Sequence, residues 1–380
     1  MLPTEQAPPA VSAVLLCRNE VGLIGQCLQS LLDQAPPPGG FEILVVDGMS
    51  DDGTRMILQR LAAEHSAIRI VDNREQITPC GMNLGIRSAR GKWIAILGSH
   101  NRYAEDYLCQ CHEVAIQTGS DNVGGSMYCE GTAWVQRAIA AAHHSPFAVG
   151  GARWHNPDYE GLADTVFGGF YRREVFERIG LFDESLVRNQ DDELNLRLAR
   201  AGGRIWHSPK IRSWYRPRGS LSALFRQYLQ YGYWKVRVIQ KHKLPASWRH
   251  LVPGAFVLTL LVLFLLSAST FLLCALSRLS GLRFHPSALA CCDFCFLLST
   301  FCFLSLLGLY VLCLCAASVL SAAKSEWKLL PVLPLVFGCY HFGYGWGFLR
   351  GLLDFVVLRR GAGIALTEIT RAAVTADEHR

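Results

Sequence analysis

Unbroken apolar runs at residues 11–17, 41–46, 68–71 and 93–97 recur at intervals of about 25 to 30 residues, the spacing of strand–helix units. Between them, apolar positions fall at helical spacing: Leu23, Ile24, Cys27, Leu28, Leu31 and Leu32, then Met56, Ile57, Leu61 and Ala62, then Met82, Ile86 and Ala89. Thr78-Pro79 predicts the cap and first turn of the third helix. Strands apolar on both faces that alternate with helices predict an α/β fold, a mostly parallel Rossmann-like sheet. Residues 104–118 read as a helix, 164–172 as a further strand, and 205–209 and 211–216 as two short strands, which carries this domain over residues 11–218.

In open parallel sheets, ligands lie beyond the carboxyl ends of the strands. Those ends carry Arg18-Asn19-Glu20, Asp47 through Thr54 with Asp52 inside it, Asp72-Asn73-Arg74, and Gly98-Ser99-His100. Four polar loops on one edge describe a site able to hold a base, a ribose and a diphosphate. A second feature is the run Asn189-Gln190-Asp191-Asp192-Glu193-Leu194. Asn189 suits a helix cap, Leu194 and Leu198 share one side, and three acids fall in the first turn. Acids are favoured there by the helix dipole alone, and Glu193 with Arg197 forms an i,i+4 pair worth about 0.2–0.5 kcal/mol. The same geometry also projects a carboxylate into whatever cleft precedes the helix, as a general base requires.

Beyond residue 218 the pattern changes. Residues 219–250 mix Leu, Tyr and Trp with Arg226, Lys235, Arg237, Lys241 and Lys243, which suits an interfacial helix at the headgroup level. Residues 251–276 carry no charge, residues 288–323 carry only Asp293, and residues 329–349 are apolar but broken by Pro331, Pro334 and several glycines. About 20 residues cross a bilayer. Three transmembrane helices are expected, with four as the alternative if 288–323 folds as a hairpin, followed by a polar tail over 350–380. The mean hydropathy of +0.20 reflects this tail. A net charge of +6 without a long basic run argues against nucleic acid and for membrane lipid as a partner. Residues 1–10, read as a disordered lead, lack a charged n-region. Together with the basic cluster before the first span, this places the catalytic domain in the cytosol, on a multi-pass inner-membrane protein. Of 14 cysteines, eight lie in the apolar tail, where they act as small hydrophobes; Cys109, Cys111 and His112 lack the second ligand pair of a zinc site.

These motifs, in this order, resemble the family 2 glycosyltransferases of the GT-A fold, and most closely the succinoglycan-biosynthesis glycosyltransferases of bacterial exopolysaccharide assembly. The resemblance implies a nucleotide-sugar donor and a lipid-linked sugar acceptor. Residue by residue it implies substrate binding by Arg18, Asn19, Glu20, Asp47, Asp52, Arg74, Asn83, Ser99, Arg226, Gln227 and Trp234. It implies a general base at Asp191, with Asp192 as the near alternative, and a divalent cation, Mn²⁺ or Mg²⁺. Gly98-Ser99-His100 stands where the family carries its metal-binding Asp-x-Asp, so the first acid is missing and His100, aided by His207, is the expected protein ligand. His207 reads equally well as an ordinary strand histidine. An impaired, non-catalytic binding protein of the same fold is the alternative that Gly98 raises.

Overall fold

The computed structural model describes residues 8–279, 286–363 and 366–367. Residues 1–7 of the expected disordered lead and 368–380 of the expected polar tail lie outside them. Two compact units divide near Ala223, the second running Leu224–Leu366.

The first unit begins with β1 (Val11–Cys17), α1 (Ile24–Leu32), β2 (Phe41–Asp47), α2 (Thr54–Glu64), β3 (Ile68–Asp72), α3 (Thr78–Ser88) and β4 (Trp93–Gly98). It continues through β5 (Asn101–Tyr103), α4 (Tyr107–Thr118), β6 (Asn122–Cys129), α5 (Trp134–His143), α6 (Pro146–Val149), β7 (Gly161–Leu162), β8 (Phe167–Arg172), α7 (Arg173–Ile179), α8 (Gln190–Arg200) and β9 (Ile205–Tyr215). One sheet runs in the order β3-β2-β1-β4-β8-β6-β9-β5, with β7 on β9. The first four strands are parallel, and β8 is antiparallel to both neighbours.

Alternation along each strand feeds two apolar layers. Val11, Ala13 and Leu15 pack with α1 and α4, whereas Val14, Leu44 and Val46 pack with Met82, Ile86, Leu194 and Leu198. Each such Val, Leu, Ile or Met side chain contributes about 1.5–3 kcal/mol by leaving water, and burial on both faces is why these strands read as unbroken apolar runs. At Gly85 an added Cβ would overlap Val14, so glycine lets α3 lie against β1.

Three local expectations change. Residues 205–215 form one strand rather than two, because the register jump between Gly125/Ser126 and Ser208/Arg212 absorbs Pro209 as a bulge. Asn189 enters α8 with φ +60° and makes no side-chain cap. Thr78 is the first helical residue of α3, which places Pro79 inside the first turn and Ile77 at the cap.

The second unit holds α9 (Leu221–His242, all but its first turn), α10 (Val252–Leu279), α11 (Pro286–Lys324), α12 (Leu333–Gly351) and a π-helical turn, Leu352–Val357. Residues 286–324 form a single helix, so the hairpin alternative does not arise. Of the three expected spans, α10 and α11 are long and apolar enough to cross a membrane, and only 11% of each apolar window is buried. The third, α12, is not in that class. Its glycines are a packing surface: at Gly343, Gly347 and Gly351 an added Cβ would overlap the α9 backbone at Phe225, Leu229 and Tyr233, the close approach that small residues at four-residue spacing permit. Continuation of the helix past Gly351 also makes 352–357 part of the bundle instead of a polar tail.

Candidate functional site

The carboxyl ends of β1, β2 and β4 lie side by side, with Cys17 opposite Asp47 and Leu16 opposite Gly98. Their loops interlock. Asn19 bends with φ +52°, its amide donates to Asp51 Oδ1 at 2.9 Å, and it accepts from the Asp51 N–H at 3.0 Å. The Glu20 N–H donates to Thr54 Oγ1 at 2.8 Å and the Val21 N–H to Asp52 Oδ2 at 3.1 Å. Burial alone would raise the Asp52 carboxyl, but bonds from Thr54 and Val21 outweigh it and hold the group below its usual range. Asp52 therefore fixes one loop to the other.

Asp47 is fully enclosed. Ser50 Oγ donates to it at 2.6 Å and Arg55 Nη1 at 2.9 Å, and the same Arg55 reaches Asp72 at 2.6 Å. The Asp47 carboxylate is thus spent on shaping the turn that a nucleotide would meet. Arg18 lies over Gly48 and donates to the Gln76 carbonyl at 3.1 Å; Arg74 is exposed just past β3.

His100 sits at the end of β4 with Nδ1 3.5 Å from Glu20 Oε1. A Cβ at Gly98 would lie 3.5 Å from the His100 ring. An acid at 98 would therefore meet the imidazole at ordinary contact distance and Asn101 Nδ2 more closely, at 3.1 Å. Ser99 is buried and bonds the thiol of Cys17, which burial first and then Asp47 and Glu20 push well up. That thiol stays protonated and is no nucleophile.

Helix α8 presents three faces. Leu194 and Leu198 enter the core; Glu193, fully buried, pairs with Arg197 at 2.9 Å, and Arg197 caps the carbonyls of Ile179 and Leu181. On the remaining face Asn195 donates to Thr165 Oγ1 at 2.8 Å and accepts from Asn122 and the Tyr171 hydroxyl. Asp191 is four residues earlier, on that same face about 6 Å toward the helix start, exposed and close enough to help raise the already buried Tyr171 hydroxyl. Asp192 points along the neighbouring, half-buried direction.

An aromatic row extends from His100 to Tyr215 at 5.4 Å, then Phe167 at 6.4 Å, then Trp154 at 6.4 Å. All four rings are half-buried. Sequence reasoning singled out His100 but did not connect it with the other three rings.

Residues 12–180 match the sequence profile for Glycosyl transferase family 2. The chain is also 32% identical over 244 residues to the succinoglycan biosynthesis protein ExoA of Rhizobium meliloti, covering 64% of this chain and 74% of that protein. The chain belongs to glycosyltransferase family 2. A second relative of this glycosyltransferase, 27% identical over 258 residues and covering 66% of this chain and 80% of that protein, is a Methanococcus voltae enzyme. It is named as a diacetamido-dideoxy-glucuronosyltransferase acting on dolichyl N-acetylglucosaminyl phosphate. In fold, the glycosyltransferase is similar to the mannosyltransferase PcManGT of Pyrobaculum calidifontis in complex with GDP-Man and Mn²⁺. That likeness has a TM-score of 0.52 at 18% identity and covers 89% of this chain and 88% of that one.

Several expected site residues of the glycosyltransferase are bonded within the protein or belong to the second unit. Asn83 is buried and staples α3 to the loop before α8, donating to the Phe182 carbonyl at 2.9 Å and Glu184 at 2.8 Å and accepting from the Phe182 N–H at 2.9 Å. Both amide hydrogens and the amide oxygen are thus bonded within the protein. His207 is fully buried, with Nδ1 2.7 Å from the Tyr159 carbonyl. It pairs with Gly124 while Tyr215, beside His100, pairs with Cys129; five strand steps are roughly 16 Å, too far for one ion to touch both histidines. Arg226, Gln227 and Trp234 belong to the second unit, where the Trp234 indole donates to the Leu366 carbonyl at 3.0 Å and Gln227 to the Tyr231 hydroxyl at 3.0 Å.

Among the described residues no group of three or more His, Cys, Asp or Glu side chains could hold a metal ion. His100 and Glu20 offer one imidazole and one carboxylate, a sparse set that suits a cation whose remaining ligands are substrate phosphates and water.

Proposed function

We propose that this family 2 glycosyltransferase moves a sugar from a nucleoside-diphosphate donor to a hydroxyl of a lipid-linked saccharide, at the cytosolic face of the inner membrane. The observation that carries the reading is Asp191: an exposed carboxylate on the face of α8 that Asn195 fixes to Thr165 and Tyr171, one turn toward the helix start. The interlocked loops at residues 18–21 and 47–54 form the donor side, with Asp47 and Asp52 holding their shape, Arg18 and Asn19 at the rim, and the buried Glu20 and Ser99 beneath it.

The step is a single inverting displacement. Asp191 accepts the proton of the acceptor hydroxyl, whose oxygen bonds to the anomeric carbon as the bond from that carbon to the diphosphate oxygen breaks, and the diphosphate departs with the electron pair. A divalent cation, held by His100 and Glu20, would offset charge on the leaving diphosphate. The carboxylate at 191 sits in the first turn, where the helix dipole favours its ionised, proton-accepting form.

The lipid-linked acceptor and the membrane setting draw on α10 and α11, whose apolar faces are left open, and on the dolichyl acceptor in the name of the M. voltae relative. The non-catalytic alternative finds no support among the relatives: the family profile and the M. voltae relative carry glycosyltransferase names. The experiment is transfer of radiolabelled sugar from UDP- and GDP-sugars to a membrane lipid extract by the purified chain. Label in the organic phase is expected; label released only as free sugar would contradict the acceptor class.

A further inference from the structure

The second unit contains a cavity of about 630 Å³ between α9 and the segment that follows α12. Arg237, Lys243, Arg359 and Arg360 line one part of it, and Phe348 and Phe355 another. Arg237 lies 5.6 Å over the Phe355 ring and donates to Gln240 Oε1 at 2.7 Å, which leaves its charge unmatched. The acid nearest in sequence, Asp354, is buried and already engaged by Arg350 at 3.0 Å and the Tyr233 hydroxyl at 3.2 Å. Among the described residues, no carboxylate pairs with any of the four cations. Arg359 takes φ +51°, and the Arg360 N–H bonds back to the Asp354 carbonyl at 2.7 Å, so the chain turns back after the π-helical turn, and both arginines line the same cavity as α9.

These four cations are solvent-exposed and have no counter-charge among the described residues; water and salt screen their repulsion, and an anion relieves what remains. Guanidinium groups match phosphate oxygens in pairs. The two phenylalanines, 7% and 5% exposed, supply an apolar wall that a small inorganic anion would not use. We propose that this cavity binds the phosphate or diphosphate head of a lipid with a single apolar chain, separately from the donor site. The inference deepens the proposed function, on which it rests for calling such a lipid the acceptor's carrier.

The test uses the full chain in phosphatidylcholine nanodiscs and equilibrium binding of radiolabelled farnesyl diphosphate, with inorganic diphosphate as competitor and phosphatidylglycerol nanodiscs as a parallel arm. Saturable binding that the Arg359→Gln/Arg360→Gln variant weakens at least about tenfold is expected, with Lys243→Gln weakening it less and UDP affinity unchanged in both. Unaltered farnesyl diphosphate binding in these variants would overturn the site. Inorganic diphosphate binding equally well would assign the cavity to soluble phosphate, and full displacement of the probe by phosphatidylglycerol would assign it to bulk lipid; either result overturns the proposal. Binding is read without transfer, so a chain that holds the probe but moves no sugar supports the cavity while contradicting the proposed function.

Discussion

Arg55→Gln isolates the contact that shapes the donor side of the site. The substitution leaves the enclosed Asp47 carboxylate with only Ser50 as donor and releases Asp72 from the neighbouring strand end. Removing one partner of a fully buried ion pair costs about 3–5 kcal/mol. The Arg55 side chain is 30% exposed, so water reaches the pair, and a loss of about 2–3 kcal/mol is expected. Asp47→Asn removes the stranded charge, so the double variant should be more stable than the sum of the singles by ~1–2 kcal/mol. Urea unfolding of the detergent-solubilised protein measures the three values. Calorimetry with UDP and GDP measures the consequence, a rise in Kd of about tenfold for each 1.4 kcal/mol by which the 47–54 turn is loosened. Strict additivity of the two singles together with an unchanged nucleotide Kd would refute the assignment of Asp47 and Arg55 to the donor turn.

Three further outcomes follow from other parts of the first unit. Gly98→Asp places a Cβ 3.5 Å from the His100 ring and 3.1 Å from Asn101 Nδ2, contacts that small side-chain shifts relieve; the Mn²⁺ concentration for half-maximal transfer should fall about tenfold, and no change would separate position 98 from the cation. Trp154→Ala removes the far ring of the aromatic row, and an acceptor KM raised about tenfold with nucleotide Kd unchanged is expected if sugars stack there. His143 is held down to about 3, first by burial and then by His144. The unfolded chain therefore binds the extra proton between pH 6.5 and 3, so stability falls as pH drops through this window, by ~2 kcal/mol at pH 5; His143→Gln should flatten that part of a melting-temperature against pH curve.

Much of this site was legible because it follows from strand periodicity. Apolar runs buried on both faces announce a parallel sheet, and the polar residues that end them must fall on one edge, which is where Arg18, Asn19, Glu20, Asp52, Ser99 and His100 are found. Residue type did not reveal whether a polar side chain faces outward. Asp47, Asn83 and His207 carry substrate-binding or ligating chemistry, yet each is enclosed and bonded within the protein, because a buried polar group must find partners. The aromatic row was hidden for a different reason: Trp154, Phe167 and Tyr215 are brought together by non-adjacent segments and share no spacing. In the apolar tail, periodicity could not separate a membrane-facing helix from α12, whose glycines serve contact with α9.

The central claim is that Asp191 takes the acceptor's proton, and single-turnover transfer by Asp191→Asn, beside Asp192→Asn, tests it most directly. The account predicts a fall of about 10²–10⁴-fold in the transfer rate for Asp191→Asn, donor binding preserved, and a much smaller effect at Asp192. Wild-type transfer rates from Asp191→Asn would contradict it.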